Sequence, residues 1–127
     1  MATQPIDVKT RINLPTKDGE VFVVLVEQGA VPVSYGIELY RGSNKVRDVV
    51  PFGDNPINTS YSLGPARDLR GLSTDCFGRV FYPGERSVTF RCDFVMDGKV
   101  FASSDDAVIK LTAAAPSREF HIRCLFQ

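Results

Sequence analysis

The single histidine of the chain, His121, limits the nucleophilic chemistry that this sequence can support. A Ser-His-Asp or Cys-His arrangement needs an imidazole as its base, so any such site would have to use His121. That residue stands between Phe120 and Ile122, which are in phase with the apolar positions of their run. We therefore predict that His121 points away from the core as a solvated strand residue.

Other catalytic signatures are missing from the sequence. It contains no GxSxG elbow, P-loop, dinucleotide fingerprint or HExxH pair. The sequence predicts that the chain is not an enzyme, has no catalytic residues and carries no cofactor. An enzyme that uses His121 or two carboxylates paired across strands stays open, because such pairing is invisible in a sequence.

Acidic and amide residues in turn-like segments are the second source of chemistry. Loop oxygens gathered at one end of a fold can bind Ca²⁺, and loops of this kind also recognise sugars. Asp and Asn are equally the residues that turns favour, and no EF-hand spacing is present. We predict no metal site, and keep lectin-like carbohydrate binding or calcium-dependent binding as the alternative function. The candidate ligand-binding residues are Asp54, Asn55, Asp75, Asp97, Asp105 and Asp106.

The three cysteines do not have the spacing of a metal site or of a secreted disulfide framework. Cys92 and Cys124 are in phase with the apolar positions of their runs, which predicts two small core side chains. A disulfide between them, joining two sheets, is the alternative and would need oxidising surroundings. Cys76 is placed in a loop.

Period-two alternation dominates the chain and indicates strands, because successive strand side chains point to opposite faces. Turn signals such as Asp97-Gly98 separate the strands, and residues 64–78 are read as a short helix or crossover. This predicts one all-β domain over residues 1–127. The four clearest runs are Ile6-Val8-Thr10-Ile12-Leu14, Ile57-Thr59-Tyr61-Leu63, Val88-Phe90-Cys92-Phe94-Met96 and Phe120-Ile122-Cys124-Phe126.

The expected architecture is a two-layer antiparallel β-sandwich of about nine strands with at most one short helix. Either an immunoglobulin-like or a jelly-roll arrangement fits the even spacing of the strands. The chain has no Trp, so the core Trp of immunoglobulin domains is missing and the likeness is one of architecture only.

The stretch 21–26 is apolar at every position, whereas an outer sandwich strand should have one polar face. Something must therefore cover its second face, either residues 64–78 of the same chain or another molecule. Exposed apolar patches of this kind usually mark interaction sites. The predicted interface consists of the second face of residues 21–26 together with two residues of other strands. The side chains of those two residues are out of phase with the core-facing positions of their own strands. Its residues are Phe22, Val24, Val26, Val95 and Leu125.

Charge and hydropathy restrict the partners. The 15 basic and 15 acidic residues cancel, which argues against nucleic acid and removes a barrier to self-association. No apolar stretch is long enough to span a bilayer, and residues 1–5 lack the features of a signal peptide. We predict a cytoplasmic protein, with a particle-associated or non-classically exported one left open.

Taken together, the sequence predicts a non-enzymatic β-sandwich module for binding or assembly. It should act as a homo-oligomer or with a protein partner, and a structural role in a particle or secretion-type assembly would suit it. Carbohydrate is the alternative ligand.

Overall fold

A computed structural model of the chain describes residues 4–127. Residues 1–3, part of the segment used for the signal-peptide prediction, lie outside this range. The described residues form ten strands and one 3₁₀ turn, Ala66–Asp68. In chain order the strands are β1 (Ile6–Ile12), β2 (Glu20–Gln28), β3 (Val33–Arg41), β4 (Asn44–Gly53), β5 (Ser60–Pro65), β6 (Ser73–Phe81), β7 (Arg86–Met96), β8 (Lys99–Ser103), β9 (Ala107–Leu111) and β10 (Ser117–Phe126).

Two packed sheets confirm the predicted sandwich. The first sheet has the strand order β1-β10-β6-β3-β4. The second has the order β5-β2-β7-β8, and β9 also pairs with β7, beyond the end of β8. In residues 4–127 no helix is long and apolar enough to cross a membrane.

The prediction that all strands run antiparallel is wrong for one pair. Strand β1 runs parallel to β10, from Ile6 opposite Phe120 to Ile12 opposite Phe126. Alternation has the same period in parallel and antiparallel ladders, so the sequence pattern cannot distinguish them. The chain leaves β1 for β2 in the other sheet, and no hairpin sets the direction of β1 against β10.

Aromatic side chains from the two sheets meet in the core. The ring of Phe90 on β7 stacks on that of Phe120 on β10, with centroids 4.6 Å apart. Further along, Phe94 meets Phe126 edge to face at 5.3 Å. All four rings are buried. The alternating runs identified in the sequence thus supply the filling between the two sheets.

All three cysteines are buried free thiols, so the core prediction for Cys92 and Cys124 is confirmed. The loop prediction for Cys76 is wrong, because this residue lies inside β6. The Cys76 thiol contacts that of Cys92 across the core, and this contact together with burial raises the pKa of Cys92. Burial also raises the pKa of Cys124. Cys92 and Cys124 therefore pack in the core as small apolar groups.

The segment 64–78 does not cover the outer face of β2. Leu69 and Leu72 are buried in the main core, between the sheets. Their segment is bonded to the end of β10, where the Phe126 N–H donates to the Leu72 carbonyl at 2.9 Å. It therefore closes one end of the sandwich, and its prediction as the internal cover is wrong.

Candidate functional site

The outward side of the second sheet carries a run of apolar side chains. Alternation along β2 sends three of them outward, and pairing places Val95 opposite Phe22 and Val100 opposite Val95. Val100 is 56% exposed and the others are partly buried. We call this surface the apolar face; its residues are Phe22, Val24, Val26, Val95 and Val100. Four of the five predicted interface residues are thus brought together.

Leu125 does not lie on the apolar face with the other four predicted interface residues. It lies on β10 beside Ser73 and Arg11, on the outward side of the first sheet, and is 41% exposed. Its phase along the strand correctly indicates that it points away from the core. Phase does not tell which sheet a strand joins, and so which side of the molecule it faces.

A partly buried ion pair borders the apolar face. Asp93 stands opposite Val24 and is only 8% exposed, although it is on the outward side of β7. Its carboxylate accepts hydrogen bonds from Arg91 Nε at 2.9 Å and from Ser103 Oγ at 2.7 Å. The bond to Asp93 is also the main reason why the pKa of Arg91 is raised. The charges are satisfied within the chain, so the border requires no charged partner.

A row of three rings crosses the outward side of the first sheet. Phe52 on β4 and Phe77 on β6 are nearly parallel, with centroids 5.7 Å apart. His121 on β10 continues the row at 6.2 Å from Phe77. Gly36 lies beneath, where an added Cβ would come within 2.9 Å of the Phe52 backbone nitrogen and 3.0 Å of the Phe77 ring. The glycine permits this close approach.

His121 points away from the core, as predicted, but it is not simply solvated. Its Nδ1 lies 3.0 and 3.1 Å from the two carboxylate oxygens of Asp75. Arg123 Nε approaches the same carboxylate at 3.9 Å and that of Asp7 at 3.8 Å. Within residues 4–127 no hydroxyl or thiol is hydrogen-bonded to the imidazole. The arrangement holds a base and the acid that orients it, without a bonded nucleophile.

Two cavities adjoin this row of rings. One, of about 270 Å³, is lined in part by Phe77, His121 and the ion pair in which Arg79 Nη2 donates to Glu119 Oε1 at 2.8 Å. The other, of about 400 Å³, includes Phe81 and Asp54. Phe52 and Arg79 line both. We call the whole the aromatic groove; its residues are Phe52, Phe77, Arg79, Phe81, Glu119 and His121.

The predicted ligand-binding residues do not meet at one end of the sandwich. Asp54 and Asn55 follow β4, and Asn55 Nδ2 donates to the carbonyls of Tyr35 and Pro51, both at 2.8 Å. Asp75 lies within β6, so its prediction as a loop residue is wrong. These three residues take part in fixing the first sheet and its rim.

The remaining acidic candidates lie elsewhere. Asp97 is in the β7–β8 turn with a positive φ of 54° and pairs with Lys17. Asp105 and Asp106 lie in the connection between β8 and β9. This connection lies beside the edge strand β1, where the Asp105 N–H donates to Thr10 Oγ1. Within residues 4–127 no three His, Cys, Asp or Glu side chains come together as metal ligands. The candidate residues therefore do not gather into the single end-loop site of the alternative function; turn geometry accounts for Asp97.

Sequence reasoning misses the aromatic groove because it predicts a short helix or crossover over residues 64–78, which include the first part of β6. Asp75 and Gly78 favour turns, but here the first bonds His121 and the second lies against the Phe120 ring. Alternation of Phe77, Arg79 and Phe81 is the signal that could have placed three side chains on one outward face. No family model, curated protein or solved structure matches the chain. The two outward faces therefore supply the grounds for proposing a function.

Glu27 is an inward-facing carboxyl at the end of β2, paired with Phe90 in register. Its Oε1 accepts the Val31 N–H at 2.9 Å, and its Oε2 is buried without a hydrogen-bond partner among residues 4–127. Burial is the largest influence on this group and raises the pKa of Glu27. The folded chain therefore holds this proton more tightly than the unfolded chain does.

Replacing Glu27 with Gln should remove the pH dependence that this carboxyl gives to the free energy of unfolding. The contribution of Glu27 favours folding below its unfolded pKa and is lost as the pH rises through the higher folded pKa. The free energy of unfolding of Glu27→Gln, relative to wild type, should therefore be higher at about pH 7 than at about pH 4. Urea unfolding of both proteins at the two pH values measures this difference. The same difference between variant and wild type at both pH values would contradict a raised pKa of Glu27 in the folded chain.

Proposed function

We propose that the protein is a non-enzymatic β-sandwich module that self-associates through the apolar face. One observation carries this proposal: β2, a central strand of its sheet, has apolar side chains on both faces, and the segment expected to cover the outer one closes the end of the core instead. A structural role in a particle or secretion-type assembly extends the proposal and rests on size and neutrality alone.

The physical drive is the removal of apolar surface from water, at about 25 cal/mol per Å². Sheets stack face to face by interlocking such side chains, with a spacing of about 10 Å. A second copy offers the same side chains and the same self-satisfied border of Arg91 and Asp93. The chain has zero net charge, so little repulsion opposes the contact.

The edges formed by β4, β5 and β1 are poorer contact surfaces than the apolar face. Strand β4 is interrupted by three register shifts against β3 and contains Pro51, features that discourage pairing with another strand. Arg47 Nη2 on β4 donates to the Ser62 carbonyl on β5 at 3.2 Å, tying two edges together. At the β1 edge, the Thr10 hydroxyl oxygen accepts a hydrogen bond from the Asp105 N–H. These features favour association through a face over strand addition.

Thiol labelling tests the proposal on the folded protein. The native cysteines are buried, so a Val100→Cys variant has one accessible thiol on the apolar face. A maleimide should modify it quickly in dilute solution and slowly at high protein concentration, where a second copy covers it. The matched variant Leu125→Cys, on the opposite sheet, should react equally at both. Equal rates for Val100→Cys at all concentrations would contradict the proposal.

A further inference from the structure

We propose that the aromatic groove is a binding site for an uncharged carbohydrate chain. The groove lies on the outward side of the first sheet, opposite the apolar face, so this site goes beyond self-association and does not depend on it. Of the acidic candidates considered from the sequence, Asp54 lines the larger cavity and Asp75 bonds His121, whereas the others lie elsewhere.

The groove offers aromatic surface to a ligand. Phe52 and Phe81 are 52% and 51% exposed, far more than a side chain packed in the core, and both line the larger cavity. The smaller cavity continues past Phe52 to Phe77 and His121. Sugar rings present faces of C–H groups, which pack against aromatic rings and remove apolar surface from water.

The polar groups of the groove occur as adjacent donors and acceptors. Arg79 is paired with Glu119, His121 with Asp75, and Ser34 Oγ donates to Asp54 Oδ1. A sugar hydroxyl both donates and accepts, so it can bond to both members of such a pair. The pairs combine opposite charges or a neutral donor with an acid, which suits an uncharged polyhydroxyl ligand better than a phosphate.

The location of the groove argues against an extended peptide. It runs from Phe52 on the edge strand β4 across β6 and β10, and the backbone groups of β6 and β10 are engaged in ladders with strands on both sides. A peptide could not add as a strand to β6 or β10, because strand addition requires a free sheet edge. The register shifts and Pro51 of β4 discourage pairing at its edge. A nucleic acid would need an excess of basic side chains, whereas Arg79 is paired with an acid. A sugar chain can be held by side chains alone.

The test is binding of the purified protein to a glycan array, followed by affinity electrophoresis in gels containing soluble glucan, xylan or mannan. Wild type should bind at least one of these probes. Phe52→Ala should weaken that binding about tenfold or more, since it removes the exposed ring common to both cavities. Leu125→Ala, on the same outward side but outside these cavities, is the matched control and should bind as wild type does.

Arg79→Gln provides a second variant, because it removes the charged donor while keeping much of the side-chain length. It should also weaken binding, with an unchanged thermal unfolding profile. Absence of wild-type binding to the array and to all three polysaccharides would overturn the proposal. So would binding that survives both Phe52→Ala and Arg79→Gln. A variant that disrupts only the apolar face should retain sugar binding, so this test and that of self-association fail independently.

Discussion

Phe120→Ala is expected to lower the free energy of unfolding by about 3–5 kcal/mol. Phe120 is fully buried and its ring stacks on Phe90 across the two sheets. It also fills the space above Gly78, where an added Cβ would come within 2.6 Å of Phe120 Cζ. The missing ring would leave a cavity between two rigid sheets that neighbouring side chains cannot easily close. Urea unfolding of the variant against wild type measures the loss.

Phe81→Ala is the matched control for this prediction. Its ring is on the partner strand β6 but is 51% exposed on the outward side. Truncation of so exposed a side chain should change the free energy of unfolding by about 0.5 kcal/mol or less. Equal losses in the two variants would mean that the inward stack does not hold the two layers together.

Val26→Asp is expected to convert a self-associated protein to the monomer while leaving it folded. The new carboxylate would have to be desolvated against a second copy, at a cost greater than the gain from neighbouring apolar contacts. Arg91 stands opposite Val26 in register, so the isolated chain can tolerate the acid. Light scattering gives the mass, and circular dichroism with urea unfolding reports the fold.

Two further variants serve as comparisons for Val26→Asp. Val24→Asp is less suitable, because Asp93 stands opposite and the two carboxylates would repel each other within one chain; it should lose stability as well as association. Leu125→Asp places the same charge on the opposite sheet and should leave the mass unchanged. An identical mass for Val26→Asp and Leu125→Asp would exclude the apolar face as the contact surface.

The layered fold could be predicted from alternation alone, because buried apolar residues occupy every second position along strands such as β7 and β10. Phe90 and Phe120 are examples of these inward positions. Strand β6 could not be predicted in this way, since Asp75 and Gly78 are turn formers that a strand tolerates only for tertiary reasons. Those reasons are the imidazole of His121 and the ring of Phe120, both contributed by β10. They lie more than forty positions away in the sequence.

For the candidate sites, too, local sequence predicts some features and the tertiary fold determines the others. Alternation correctly placed Phe22 and Leu125 on outward faces, but strand order decides that these faces are on opposite sides of the sandwich. The position of Asp97 in a turn was evident from the Asp-Gly pair, whereas the separation of Asp97 from Asp54 depends on where their turns fall in the fold. Long-range pairing, which local sequence does not encode, determines which residues can act together.

The mass of the wild-type protein in solution tests self-association most directly. Light scattering over a series of protein concentrations should give a multiple of the 14.0 kDa chain mass that falls towards the single-chain value on dilution. A mass of one chain at every concentration up to the solubility limit would contradict the account.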